Sequence, residues 1–173
     1  MSEPEAWLRG PVTGVHPLLM PVAHAFVQVV EDLDRLKAGL DDARLWAEPG
    51  GAASVGFHLR HLAGATDRLL TYARGEQLSE AQLEAMKAER LAPEPRPDAD
   101  ALAHAVREVI ERALEQVRET PPDALASPRE VGRARLRSTV IGLLFHAAEH
   151  ATRHAGQIAT LVKIVRAQHG RES

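Results

Sequence analysis

Apolar residues recur at three- and four-residue steps through four long stretches of the chain, with polar residues between them. From about residue 16 to 40 the apolar positions are Leu18, Leu19, Val22, Phe26, Val29, Val30, Leu33, Leu36 and Leu40, the period of an amphipathic helix. Pro17 and Pro21 fall in its first turns, where Pro17 is tolerated and Pro21 bends the helix or delays its start. Ser54 is an N-cap for a second helix over 55–74, with Val55, His58, His61, Leu62, Ala65, Leu69 and Tyr72 along one side and Gly75 at its end. Ser79-Glu80-Ala81-Gln82 has the form of a capping box and predicts a short helix over 80–90. Residues 92–97, Ala-Pro-Glu-Pro-Arg-Pro, read as a stiff linker. Asp98 or Asp100 caps a third long helix to about 118, striped by Leu102, Val106, Val109, Ile110, Leu114 and Val117 and stopped by Pro121-Pro122. The Arg-rich stretch 123–137 reads as a surface connection, and the fourth helix runs from Ser138 or Thr139 to about 168. Residues 1–14, with Pro4, Gly10, Pro11 and Gly14, form an extended lead-in. Four amphipathic helices and two long connections predict an all-α four-helix bundle.

Composition agrees with that pattern. Hydrophobic residues are 45% of the 173-residue chain and aromatics only 3%, so the apolar content is mostly Ala, Leu and Val, which suits helix on helix. The length predicts a single domain over 1–173. A net charge of −3 with mixed signs gives no footprint for nucleic acid or an anionic membrane surface. With no cysteine there is no disulfide framework, no thiolate metal site and no cysteine nucleophile. The opening Met-Ser-Glu-Pro-Glu-Ala-Trp is unlike a signal peptide, and no apolar run approaches the roughly 20 residues of a membrane span. A cytoplasmic protein is the expectation.

The candidate chemistry lies in the histidines. His146, His150 and His154 are spaced four apart on the fourth helix, one row on one face. His146 and His154 are too far apart for one ion, about 12 Å along the axis at about 1.5 Å per residue. An adjacent pair must therefore bind, either His146/His150 or His150/His154, with a third ligand from elsewhere. His24, on the first helix, and His58 and His61, on the second, are the candidates; His104 and His169 stand in polar surroundings or near the terminus. Five imidazoles fall in two short segments expected to face a core, where an unpaired buried polar group costs about 1–3 kcal/mol. A shared metal ion relieves three of them. A ligand imidazole commonly donates its other N–H to a carboxylate or carbonyl, for which Glu149, Asp67 and Gln157 come into question. Surface charge is the simpler reading of Glu149 and Asp67. Leu59, Leu62, Phe145 and Trp46 line the site or are core.

Phe57-His58-Leu59-Arg60-His61-Leu62, together with His150-Ala-Thr-Arg-His154-Ala-Gly156-Gln157-Ile158 and the approach Trp46-Ala-Glu48-Pro49-Gly50, resembles the DinB superfamily over about 15–168. That superfamily includes bacillithiol- and mycothiol-dependent enzymes. The resemblance implies an up-down-down-up bundle, a metal held by His61, His150 and His154, and His58 and His146 as neighbouring or pocket-lining groups. It also implies a homodimer. Many members carry Arg just before the Gly-Gln pair, where this chain has Ala155 and instead places Arg153 one residue ahead of His154. Gly156, lacking a side chain, is expected to let another helix approach beyond the metal.

Three neutral imidazoles leave a coordination position open, and all-nitrogen ligation suits Zn²⁺, Ni²⁺, Cu²⁺ or Fe²⁺ over Mg²⁺ or Ca²⁺, with zinc first on abundance and nickel second. The resemblance implies a transferase in which a low-molecular-weight thiol cosubstrate attacks an electrophilic small molecule. A metal-dependent hydrolase and a non-catalytic metal-binding stress-response protein are the alternatives.

Overall fold

The computed structural model describes residues 3–89, 91 and 93–169. Arg90 of the expected short helix, Ala92 of the linker, and Met1 and Ser2 of the lead-in lie outside the described residues. The long helices form where the apolar period places them: α1 is Met20–Leu36, α3 Val55–Arg74, α5 Ala99–Glu119 and α6 Val140–His169. Shorter helices α2, Asp42–Leu45, and α4, Glu80–Ala88, lie in the connections.

Their ends follow local chemistry. Ser54 accepts from the Phe57 N–H at 3.1 Å to start α3, and Gly75 closes it at φ +85°, a conformation glycine adopts without a Cβ penalty. Asp98 accepts from the Ala101 N–H at 2.8 Å to start α5. Ser79 and Gln82 form the reciprocal capping box of α4. Pro21 does delay α1: residues Pro17–Leu19 make a 3₁₀ turn, and α1 begins with proline in its first turn, where the missing N–H costs nothing.

The bundle closes as a ring in which α1 and α3 each pack against α5 and α6. Contacts at the ends give the directions. Arg166 of α6 donates to Leu36 O at 3.0 Å, so the C-terminal ends of α1 and α6 meet and these helices are parallel. Arg74 donates to Gln116 at 2.8 Å, which sets α3 parallel to α5. Lys37 pairs with Asp100 at 2.8 Å, which sets α5 antiparallel to α1. The order is up-down-down-up. Phe26, Leu62, Ile110, Leu144 and Ile158 are fully buried in the shared core, each contributing about 1.5–3 kcal/mol. Leu18, expected on the apolar stripe, is instead 61% exposed: the 3₁₀ turn that precedes α1 buries Leu19 and turns Leu18 outward.

Residues 123–137 are not merely a connection. Pro128–Val131 (β1) and Leu136–Thr139 (β2) pair as an antiparallel hairpin, turned by Gly132 at φ +67° and Arg135 at φ +50°. The strands are too polar and short to read from periodicity. This segment serves the helix ends: Arg129 Nε of β1 donates to Ala73 O at 2.8 Å near the end of α3, and just ahead of β1 Ser127 O and Leu125 O accept from the Val140 and Ile141 N–H groups of α6. No helix among the described residues is long and apolar enough to cross a membrane.

Trp46 ties the approach segment to two helices. Its ring lies against Gly56 in the first turn of α3, and its Nε1 donates to Pro97 O at 3.3 Å just ahead of α5. A Cβ on Gly56 would stand 2.8 Å from the ring carbons. Gly56→Ala is expected to cost about 1–3 kcal/mol through overpacking. Thermal unfolding followed by Trp fluorescence checks this, and an unchanged midpoint refutes it.

Candidate metal centre

The contact between α3 and α6 gathers the histidines that spacing singled out. One nitrogen from each of His61, His150 and His154 lies within 4.8 Å of the others, a group able to hold a metal ion. The ring centroids of His150 and His154 are 4.5 Å apart, as expected for neighbours one turn apart on a helix. His61 reaches across from α3, with its ring 4.8 Å from that of His154 and 5.2 Å from that of His150. His146 stands outside this group. Its ring is 5.8 Å from His150, its side chain is half exposed, and its Nδ1 lies 3.4 Å from Glu149. His24 is elsewhere, bonded to Gly10 O at 2.8 Å.

The remaining nitrogens are partly spoken for. His154 Nδ1 is hydrogen-bonded to His58 Nδ1 at 2.9 Å, and His61 Nδ1 to Glu89 Oε2 at 2.9 Å. An Nδ1–H given to a carboxylate leaves Nε2 of His61 as the basic nitrogen. His150 Nδ1 is buried with no hydrogen-bond partner among the described residues. A metal ion at the cluster would relieve the cost of such grouping, so the donor set fits one. Phe57 stacks on His61, with the planes 4° apart and the centroids at 5.7 Å.

Electrostatics favour neutral, basic imidazoles. Burial first, then the neighbouring His61, His146 and Arg153, pushes His150 down to about 4. Burial and the adjacent His150, His61 and His58 push His154 down to about 4 as well. His58 is lowered by burial and then by His61. Burial works to raise the Glu89 carboxyl, but hydrogen bonds from His61 and Arg68 outweigh it and hold the group below its ordinary range.

Nothing in the sequence around Glu89 marks it as a partner of His61. Of the carboxylates weighed from the sequence, Glu149 faces outward and is held by Arg153 at 2.6 Å, while Asp67 accepts from Gln82 at 2.7 Å. Neither hydrogen-bonds to a clustered histidine. Gln157 is exposed beside a cleft of about 540 Å³ that also borders His58, Arg153 and Leu161. Gly156 does not admit another helix: nothing lies within 4 Å of where its Cβ would be, because that face of α6 is open. Leu59 and Leu62 are core, Phe145 is 60% exposed and Trp46 packs on Gly56. A groove of about 880 Å³ between α1 and α6 includes none of the three clustered histidines.

The DinB superfamily model matches residues 4–158. The chain belongs to the DinB superfamily. The match takes in every residue of the histidine cluster as well as the α4 segment that carries Glu89. No curated protein matches this DinB chain. The fold and cluster fit a metal-binding protein.

Because His150 and His154 titrate near 4 rather than their ordinary 6.5, the unfolded chain binds protons in that window that the folded chain refuses. Stability conferred by their neutral state is whole above pH 6.5 and is lost as pH falls towards 4. Urea midpoints of the metal-free protein should fall across this window. The fall should flatten in His150→Leu/His154→Leu; an equal fall in both proteins refutes the assignment.

Proposed function

We propose that this DinB protein is a divalent-metal-dependent enzyme in which His61, His150 and His154 hold the ion and a low-molecular-weight thiol is transferred to an electrophilic small molecule. The observation that carries the reading is the convergence of three imidazole nitrogens across two helices. Two of those rings already spend Nδ1 on other residues. All-nitrogen donors suit Zn²⁺, Ni²⁺, Cu²⁺ or Fe²⁺; on abundance zinc comes first and nickel second. Such an ion, when bound, supplies Lewis acidity and lowers the pKa of a thiol or water at its open position.

The chain's own residues have separate tasks. His150 and His154, held low by burial, are unprotonated near neutrality and available as donors. His58 is bonded to His154 and also borders the cleft of about 540 Å³, so it links the cluster to a space where a small molecule fits. His146, half exposed beside His150, is a pocket-lining group rather than a ligand. In the reaction class, the sulfur lone pair forms the new S–C bond, and the electrophile releases a leaving group with its electron pair or takes up a proton after addition. The absence of cysteine is compatible with a nucleophile that arrives as cosubstrate. A single domain, a homodimer and a cytoplasmic location belong to the same reading.

Elemental analysis of the purified protein should find roughly one ion per chain, as expected for a single three-histidine site. His61→Ala and His150→Ala should each lose it, and His146→Ala should keep it. Unchanged metal in the first two overturns the ligand set. Turnover of a chromogenic electrophile with bacillithiol, mycothiol or glutathione should accompany the metal-loaded form. Ester hydrolysis without thiol turnover would instead establish the hydrolase, and neither activity the non-catalytic reading.

A further inference from the structure

Helix α4 has nine residues and none of them is fully buried; only Gln82 and Leu83 are half-buried, so apolar packing holds it weakly. Polar contacts to α3 fasten it at both ends. At its start Gln82 donates to Asp67 at 2.7 Å and to Thr71 at 2.8 Å. At its end Arg60 donates to Ala88 O at 3.2 Å and to Leu91 O at 2.8 Å. These bonds occupy carbonyls that a helix C-terminus leaves without partners.

What this arrangement delivers is Glu89, the C-cap of α4, which is buried beside α3. Both its oxygens are engaged. Oε1 accepts from Arg68 Nη1, while Oε2 accepts from Arg68 Nη2 at 3.2 Å and from His61 Nδ1 at 2.9 Å. The Arg68 and Glu89 side chains are only 11% and 9% exposed, so this is a shielded charge pair. Gly64, on the intervening turn of α3, provides the room: a Cβ there would lie 2.2 Å from Glu89 Oε1 and 2.8 Å from Arg68 Nη1. A surface salt bridge needs none of this. Nor does Glu89 belong to the group of nitrogens within 4.8 Å of one another that could hold the ion.

We infer that Glu89 is the positioning residue of His61, with Arg68 as its anchor and α4 as the segment that brings it. The carboxylate accepts the Nδ1–H at the ring edge, fixes the tautomer that leaves Nε2 basic, and holds the ring where it stacks on Phe57. Carboxylates in this role raise the basicity of the imidazole they hold. The functional weight of the inference rests on the proposed metal site, but the tautomer itself does not.

The test replaces the charge pair with an apolar pair, Arg68→Met/Glu89→Met, which strands neither charge. Two quantities are read. Zinc affinity, by chelator competition, should fall about 10- to 100-fold. In the metal-free protein, nitrogen-15 NMR above the imidazole titration range should find His61 as Nδ1–H in the wild type and without that bias in the variant. Should the double variant not fold, Arg68→Leu/Glu89→Leu, which also strands neither charge, is read in the same two ways. A purely structural pair would lower the melting temperature and leave both readouts unchanged, and that result overturns the inference. His150→Ala keeps the two proposals apart. If it loses zinc while the charge-pair variant binds zinc as the wild type does, the positioning role alone fails. If it keeps zinc, the metal reading fails, and the tautomer of His61 still decides the role of Glu89.

Discussion

The seam between α3 and α6 must satisfy polar groups that both helices carry towards the core. Most of the seam is ordinary packing, with Leu59, Leu62, Leu144, Ala147, Ala151 and Ile158 buried. Into it project His58, His61, His150 and His154, whose imidazoles cannot all be hydrated there. The structure meets the constraint by pairing them, His58 with His154 and His61 with Glu89, and leaves His150 Nδ1 without a partner among the described residues. Other features of the molecule serve this seam. The hairpin steadies the first turn of α6 and the last of α3, and the Trp46 segment fixes the start of α3 three residues from His58.

Burying Arg68 with Glu89 raises the stakes. Removing one partner of a buried pair typically costs about 3–5 kcal/mol, because the other charge is left stranded. The pair is therefore sensitive in a way that exposed pairs such as Lys87 with Glu84 are not. Gly64 belongs to the same arrangement. A glycine inside a helix is destabilising by roughly 0.5–1 kcal/mol relative to alanine, yet alanine here would collide with the carboxylate.

Much of this was legible in the chain. The four long helices follow from residues such as Phe26, Leu62, Ile110 and Val162, which recur with the helical period and are all buried. Ser54, Ser79 and Asp98 announce helix starts because their side chains cap only there. The row of histidines was visible from spacing, although spacing alone left two pairs open. Glu89 was not legible. It lies 28 residues from His61, on an otherwise exposed helix next to Arg90, where a carboxylate reads as solvated charge. Its partner Arg68 is two turns beyond His61 and reads the same way. Gly156 misled because a missing side chain reads as close approach, and only the packing around it reveals open space. The hairpin escaped because Arg129, Glu130 and Arg137 give its strands no alternation.

Chain routing has a consequence of its own. Since α3 and α5 run in the same direction, the chain leaving Gly75 has to travel back along the bundle before Asp98 can start α5. At about 1.5 Å per residue, α3 is about 30 Å long, and two residues of hairpin turn could never make that return. A bundle of alternating helices would have no polypeptide at this place. The return path is what brings a carboxylate to His61, so one hydrogen bond of that ring is set by a crossover rather than by a bundle helix. Crossovers tolerate insertion and substitution that helix seams do not. The surroundings of His61 can thus be retuned by changes in 76–98 while the helices that carry the histidines stay as they are.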